Sequence, residues 1–161
     1  MEYTARGSSY WVMKTIDALK PQYSIRPFHF PDDLHAVLEL WGNAGPGVNI
    51  GRSDTAEEIQ KKLARDPDLF IVAELSGSLV GAVLGGFDGR RGMVYHLAVS
   101  STYRRQGLGE ALMQAVEAQL RAKGCLRYYL LVTQDNEAAI DFYEQRGHER
   151  LPLHVYGKDL A

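Results

Sequence analysis

The chain reads as an α+β protein built on a mixed sheet. Apolar alternation and short turns group three strands between Leu69 and Val99. Segments at helical spacing flank that group on both sides. Each later strand is reached across a helix, as crossover connections require. A length of 161 residues with 45% apolar content suits one domain with a real core.

In order, residues 1–22 form an extension of unclear structure, and residues 23–161 a single domain. Tyr10-Trp11-Val12-Met13 and Ile16-Leu19 suit a short helix before Pro21 or a segment packed on a partner. Ser24–Phe28 reads as a first strand. Pro31-Asp32-Asp33 opens a helix with Leu34, Val37, Leu38 and Trp41 on its apolar face, and Gly42–Gly51 is loop. Thr55-Ala56-Glu57-Glu58 has capping-box spacing and starts a second helix. Beyond Pro67 the period changes: Leu69–Glu74 and Leu79–Gly85 form a hairpin about Ser76-Gly77-Ser78. Asp88–Gly92 turns into the strand Met93–Val99. A long helix from Leu108 repeats Leu112, Val116 and Leu120 and stops at Lys123-Gly124. Leu126–Val132 is read as a strand, Asn136–Arg146 as a helix closed by Gly147, and Glu149–Lys158 as a last strand.

Composition excludes several classes. A net charge of −2 offers nothing to nucleic acid or an anionic membrane. No apolar run approaches the roughly 18 residues of a membrane span. The first residues lack a basic region followed by an apolar stretch, so no signal peptide is expected. Cys125 is the single cysteine, in keeping with a cytoplasmic protein. Five scattered histidines show no metal-ligand spacing, and no metal is expected.

Arg104-Arg105-Gln106-Gly107-Leu108-Gly109 joins the strand ending at Val99 to the long helix. Two glycines at a helix start leave the first amides uncovered at the positive end of the helix dipole, which suits a pyrophosphate. Backbone N–H groups of Gln106, Gly107, Leu108, Gly109 and Glu110 are the candidate donors, with Arg104 or Arg105 adding a contact worth about 1.5–3 kcal/mol. The glycines alternatively serve close packing of helix on sheet, and the arginines solvation. The motif lacks the Lys-Ser/Thr of a nucleotide-hydrolysing loop and the three spaced glycines of a dinucleotide site.

This Arg-x-x-Gly-x-Gly order, strand before and helix after, resembles the signature of the GNAT superfamily of acyl-CoA-dependent N-acetyltransferases. Asp135–His148, with Asn136, Tyr143 and Gly147, is similar to that family's closing segment. The resemblance spans roughly Leu69 to Leu160. It implies a mostly antiparallel sheet of roughly six to seven strands with about four helices. It implies acetyl-CoA as co-substrate, an amine-bearing acceptor, and an option of homodimerisation. The main chain at Leu97, Ala98 and Val99 would meet the pantetheine arm, with the Leu97 amide donating to the thioester oxygen. Asn136 would contact the arm besides capping its helix, and Tyr143 would be either a core tyrosine or the acid for the departing thiolate.

The base is less constrained. A lysine amine near pKa 10.4 costs about 4.6 kcal/mol to deprotonate at neutral pH, and an α-amine near 7.8 about 1 kcal/mol. Some family members carry a Glu where this chain has Met93. His96 is the imidazole on the strand; Glu74 and water relays are the alternatives. A CoA-binding sensor without chemistry and an ATP-binding protein are the competing readings. The acceptor wall is expected at Trp41–Arg52 and the helix near Ile59, and its amine is open between a protein N-terminus, a lysine and a small metabolite.

Overall fold

The computed structural model describes residues 23–160; the readings of residues 1–22 lie outside the described residues. They form two compact units, one ending at Leu130 and the other starting at Leu131.

The first unit runs β1 (Tyr23–Pro27), α1 (Leu34–Gly42), a 3-10 turn (Arg52–Asp54), α2 (Ala56–Arg65), β2 (Phe70–Leu75), β3 (Ser78–Phe87), β4 (Gly92–Val99), a 3-10 turn (Ser101–Tyr103), α3 (Leu108–Ala122) and β5 (Tyr128–Leu130). Spatial order follows sequence order across the sheet. β1 to β4 pair antiparallel, and β4 pairs parallel with β5. Each boundary has a local cause. Ser76 and Gly77 take positive φ, as a two-residue hairpin turn requires. The Thr55 hydroxyl accepts from the Glu58 amide and starts α2. Asp88 Oδ1 accepts the amides of Arg90 and Arg91 and closes the β3–β4 turn.

The sheet is buried on both faces. On one, Phe28 stacks on Phe70 at 4.2 Å, and Trp41 of α1 stacks on Phe70 at 5.7 Å. Val37 and Ile59 bring α1 and α2 onto this face. On the other, the predicted stripe of Leu108, Leu112, Val116 and Leu120 is fully sequestered. β3 admits α3 closely because it carries glycine there: a Cβ at Gly81 would lie 2.9 Å from Leu112, and one at Gly85 would lie 2.7 Å from Val116. Burial of each large apolar side chain contributes about 1.5–3 kcal/mol.

The second unit contains α4 (Glu137–Gln145), capped at its start by Asn136, whose side chain accepts from the Ala139 amide. Gly147 closes it with φ 83°.

The sheet has five strands among the described residues, so the expectation of six to seven was too many. Leu126–Val132 pairs only at Tyr128–Leu130, and Leu126 is 97% exposed. Residues 149–158 are not a strand at all. A last strand was expected there, but a strand exists only where its amides and carbonyls find a ladder, which no local pattern supplies.

Candidate active site

β4 carries an irregularity that sets the geometry. His96 pairs with Leu84 and Val94 with Gly85, leaving Tyr95 as an extra residue. Such a bulge turns two consecutive side chains to one face. The ring of His96 meets the Trp41 ring of α1 at 4.7 Å. A Cβ at Gly86 would lie 3.0 Å from the Tyr95 ring and 3.4 Å from Lys62 Nζ of α2. Tyr95 and His96 therefore both face the layer of α1 and α2.

The backbone of β4 follows the ordinary alternation beyond the bulge. Ser100 donates to the Val80 carbonyl at 2.8 Å, so the amides of Ala98 and His96 also point to β3. The groups of Leu97 and Val99 point the other way. On that side the pairing with β5 stops at Val94–Leu130, and β4 runs on to Val99. The Leu97 amide thus lies on an edge of β4 beyond the stretch that β5 pairs.

At the turn into α3, Arg105 and Gly107 take φ 60° and 84°. A Cβ on Gly107 would meet nothing within 4 Å, so this glycine is required by its left-handed backbone and not by packing. Gly107 is the N-cap and supplies no side-chain bond; the first helical amide with an intrahelical partner is that of Ala111. The amides of Leu108, Gly109 and Glu110 precede it without intrahelical acceptors. Left-handed residues at such a turn fold amides into a concave anion-binding nest.

The structure separates the two arginines. Arg104 donates through Nε to the Val99 carbonyl at 3.2 Å and through Nη2 to the Ala44 carbonyl at 2.9 Å, tying the loop after α1 to the end of β4. Arg105 is exposed and makes no such bond among the described residues. The candidate bases separate too. Glu74 accepts two bonds from Arg26 and is held in an ion pair. His96 Nε2 lies 3.2 Å from Asp54 Oδ1, on a carboxylate that is 7% exposed. Asp54 lies just past the Trp41–Arg52 stretch expected to form the acceptor wall.

In the second unit, Tyr143 is half-buried, with its ring edge-on to His148 at 5.2 Å and to Phe142 at 5.1 Å. Burial pushes its phenol up to about 12. It stays a neutral proton donor across the physiological range.

A family model described as the acetyltransferase (GNAT) family matches residues 34–148. The chain belongs to the GNAT acetyltransferase family. An acetyltransferase of Pectobacterium atrosepticum is 40% identical over 129 residues, spanning 80% of this chain and 90% of the relative. One of Yersinia enterocolitica is 42% identical over 128 residues, spanning 80% and 89%. Among solved structures, Ard1 from Thermoplasma volcanium gives a TM-score of 0.68 at 29% identity, covering 78% of this chain and 81% of that one. PaiA N-acetyltransferase from Thermoplasma acidophilum, solved in complex with coenzyme A, gives 0.65 at 18% identity over 78% and 88%, a likeness of fold.

The GNAT enzyme is thus an acyl-CoA-dependent N-acetyltransferase. Its residues suit such a donor: a nest of amides without intrahelical acceptors fits a diphosphate, and the edge of β4 beyond Val94 carries main-chain groups of the kind an amide-bearing arm would pair with. Among the described residues no cluster of His, Cys, Asp or Glu could hold a metal, and no helix is long and apolar enough to cross a membrane.

Proposed function

We propose that this enzyme moves the acetyl group of acetyl-CoA to a primary amine by direct attack in a ternary complex. The observation that carries the reading is the pair of left-handed residues, Arg105 and Gly107, presenting bare amides just past the open edge of β4. The amides of Gln106 to Glu110 hold the diphosphate, and Arg105 adds charge. Arg104 contributes by fixing the loop and strand end around the same turn. Leu97, Ala98 and Val99 line the arm, and Asn136 is a further contact to the coenzyme.

Acetyl-CoA supplies a thioester carbonyl that accepts the amine's lone pair as its C–S bond breaks. The Leu97 amide donates to the carbonyl oxygen, where charge develops. His96 takes one proton from the incoming ammonium, which frees the lone pair. Tyr143 donates its proton to the departing sulfur and regains one from the acylated nitrogen. One proton, left on His96, returns to solvent. A phenol held near 12 gives up its proton only as another replaces it, so donation and recovery are coupled. A cytoplasmic setting is part of this reading.

The test is release of free thiol from acetyl-CoA against a panel of peptide α-amines, lysine side chains, aminoglycosides and small amines. Turnover with one class identifies the acceptor. Tight acetyl-CoA binding with no thiol release across the panel overturns the amine assignment and favours the sensor.

A further inference from the structure

We propose that Asp54 is a positioning residue that sets the tautomer and orientation of His96, so that order in the acceptor loop is coupled to the base. This rests on the role given to His96 above.

The chemistry of the pair dictates its protonation. An ionised carboxylate only accepts, and both oxygens of Asp54 are in use: Oδ1 faces His96 Nε2 at 3.2 Å, and Oδ2 accepts the Gly51 amide at 2.7 Å. The hydrogen therefore sits on Nε2, and the lone pair on Nδ1. Nδ1 has no hydrogen-bond partner among the described residues, which leaves it as the site that takes a proton. A proton taken there leaves the Nε2–H on the carboxylate, so the ring keeps its orientation through the transfer. The groups against the imidazole are Asp54 from the 3-10 turn and the Trp41 ring from α1; Tyr95 precedes it in the chain, and Leu84 is its backbone partner on β3.

The placement ties this pair to the reaction. His96 directly precedes Leu97, whose amide is the donor to the carbonyl oxygen, so base and donor belong to adjacent residues whose Cα atoms are about 3.8 Å apart. The bulge at Tyr95 gives His96 its orientation towards α1 and α2. Asp54 ends the loop that follows α1, and its bond to Gly51 closes that loop's far end. Arg104 holds the near end at Ala44. One side chain therefore fixes both the loop and the ring.

The experiment compares wild type, Asp54→Asn, His96→Gln and the double variant on two acceptors, one lysine-like and one α-amine-like. In Asp54→Asn the amide cannot accept from both Gly51 and His96; with its oxygen kept on Gly51, its NH2 group meets Nε2 and enforces the other tautomer. The expected result is a fall in kcat of roughly ten- to a hundred-fold on the lysine-like amine, part of the 10²–10⁴ that acid–base assistance supplies. The KM for acetyl-CoA stays within about twofold, and the loss shrinks on the less basic amine, which needs about 3.6 kcal/mol less help at neutral pH. The double variant is no slower than His96→Gln.

An unchanged kcat in Asp54→Asn, an equal loss on both amines, or additive losses in the double variant overturns the proposal. Full activity of His96→Gln removes the base itself, a failure distinct from that of Asp54 alone. Should Asp54→Asn not fold, nitrogen NMR of wild-type imidazoles decides: a His96 resonance of the Nε2–H form supports the pair, and an Nδ1–H form refutes it.

Discussion

Gly107 and Tyr143 show how single residues separate binding from chemistry. Gly107 needs its positive φ and has open space around it, so a side chain there strains the turn and stands where the diphosphate is proposed to bind. Gly107→Asp should weaken coenzyme A binding tenfold or more by calorimetry, whereas Tyr143→Phe should lower kcat and leave that affinity near wild type. Tyr143 also predicts an alkaline effect. Its phenol titrates near 10.0 when unfolded and about 12 when folded. Its contribution is intact below pH 10 and is lost as pH rises towards 12, because only the unfolded chain releases the proton. Stability to denaturant should fall less steeply across that window for Tyr143→Phe. The two residues were legible in the sequence through their motifs. Asp54 was not, since its contact with His96 spans 42 positions and no spacing rule reaches that far.

The elements that read correctly are those whose signal is local. α3 was visible from the repeat of Leu108, Leu112, Val116 and Leu120, and the hairpin from Ser76-Gly77-Ser78. What the pattern missed is how closely α3 approaches. The glycines that admit it lie on β3, at Gly81 and Gly85, and not at Gly107, where a Cβ would meet nothing within 4 Å. Gly85→Ala should destabilise the protein by about 1–3 kcal/mol in denaturant unfolding, since its Cβ would sit 2.7 Å from Val116. Adding Val116→Ala should recover part of that loss. The bulge at Tyr95 was equally hidden, because an extra residue in β4 is defined only against its partner β3.

At the scale of the molecule, one ion-pair knot joins the sheet edge to the helical layer. Arg26 of β1 reaches Asp33 before α1 at 2.7 Å and Glu74 of β2 at 2.7 Å. Asp33 also accepts the His29 amide at 2.7 Å. Its bond from Arg26 first, and the His29 amide after it, hold this carboxyl below its ordinary value of 3.8. The knot's contribution is therefore full above that value and is lost as the pH falls below it. Thermal unfolding followed from pH 7 to pH 2 should show a shallower acid decline for Asp33→Asn, together with a lower Tm at neutral pH. An identical acid slope in the variant would show that the carboxylate's loss of charge does not control unfolding.

The sequence by itself determined the class of fold, the order of most elements, the glycine turn proposed to bind phosphate and the kind of reaction, because each is written in short-range periodicity or in a compact motif. Tertiary structure alone decided how many strands pair, which arginine is tied to the loop, and which carboxylate meets the histidine. Those depend on partners distant in the chain, and a ladder or a buried ion pair exists only once folding has brought both members together.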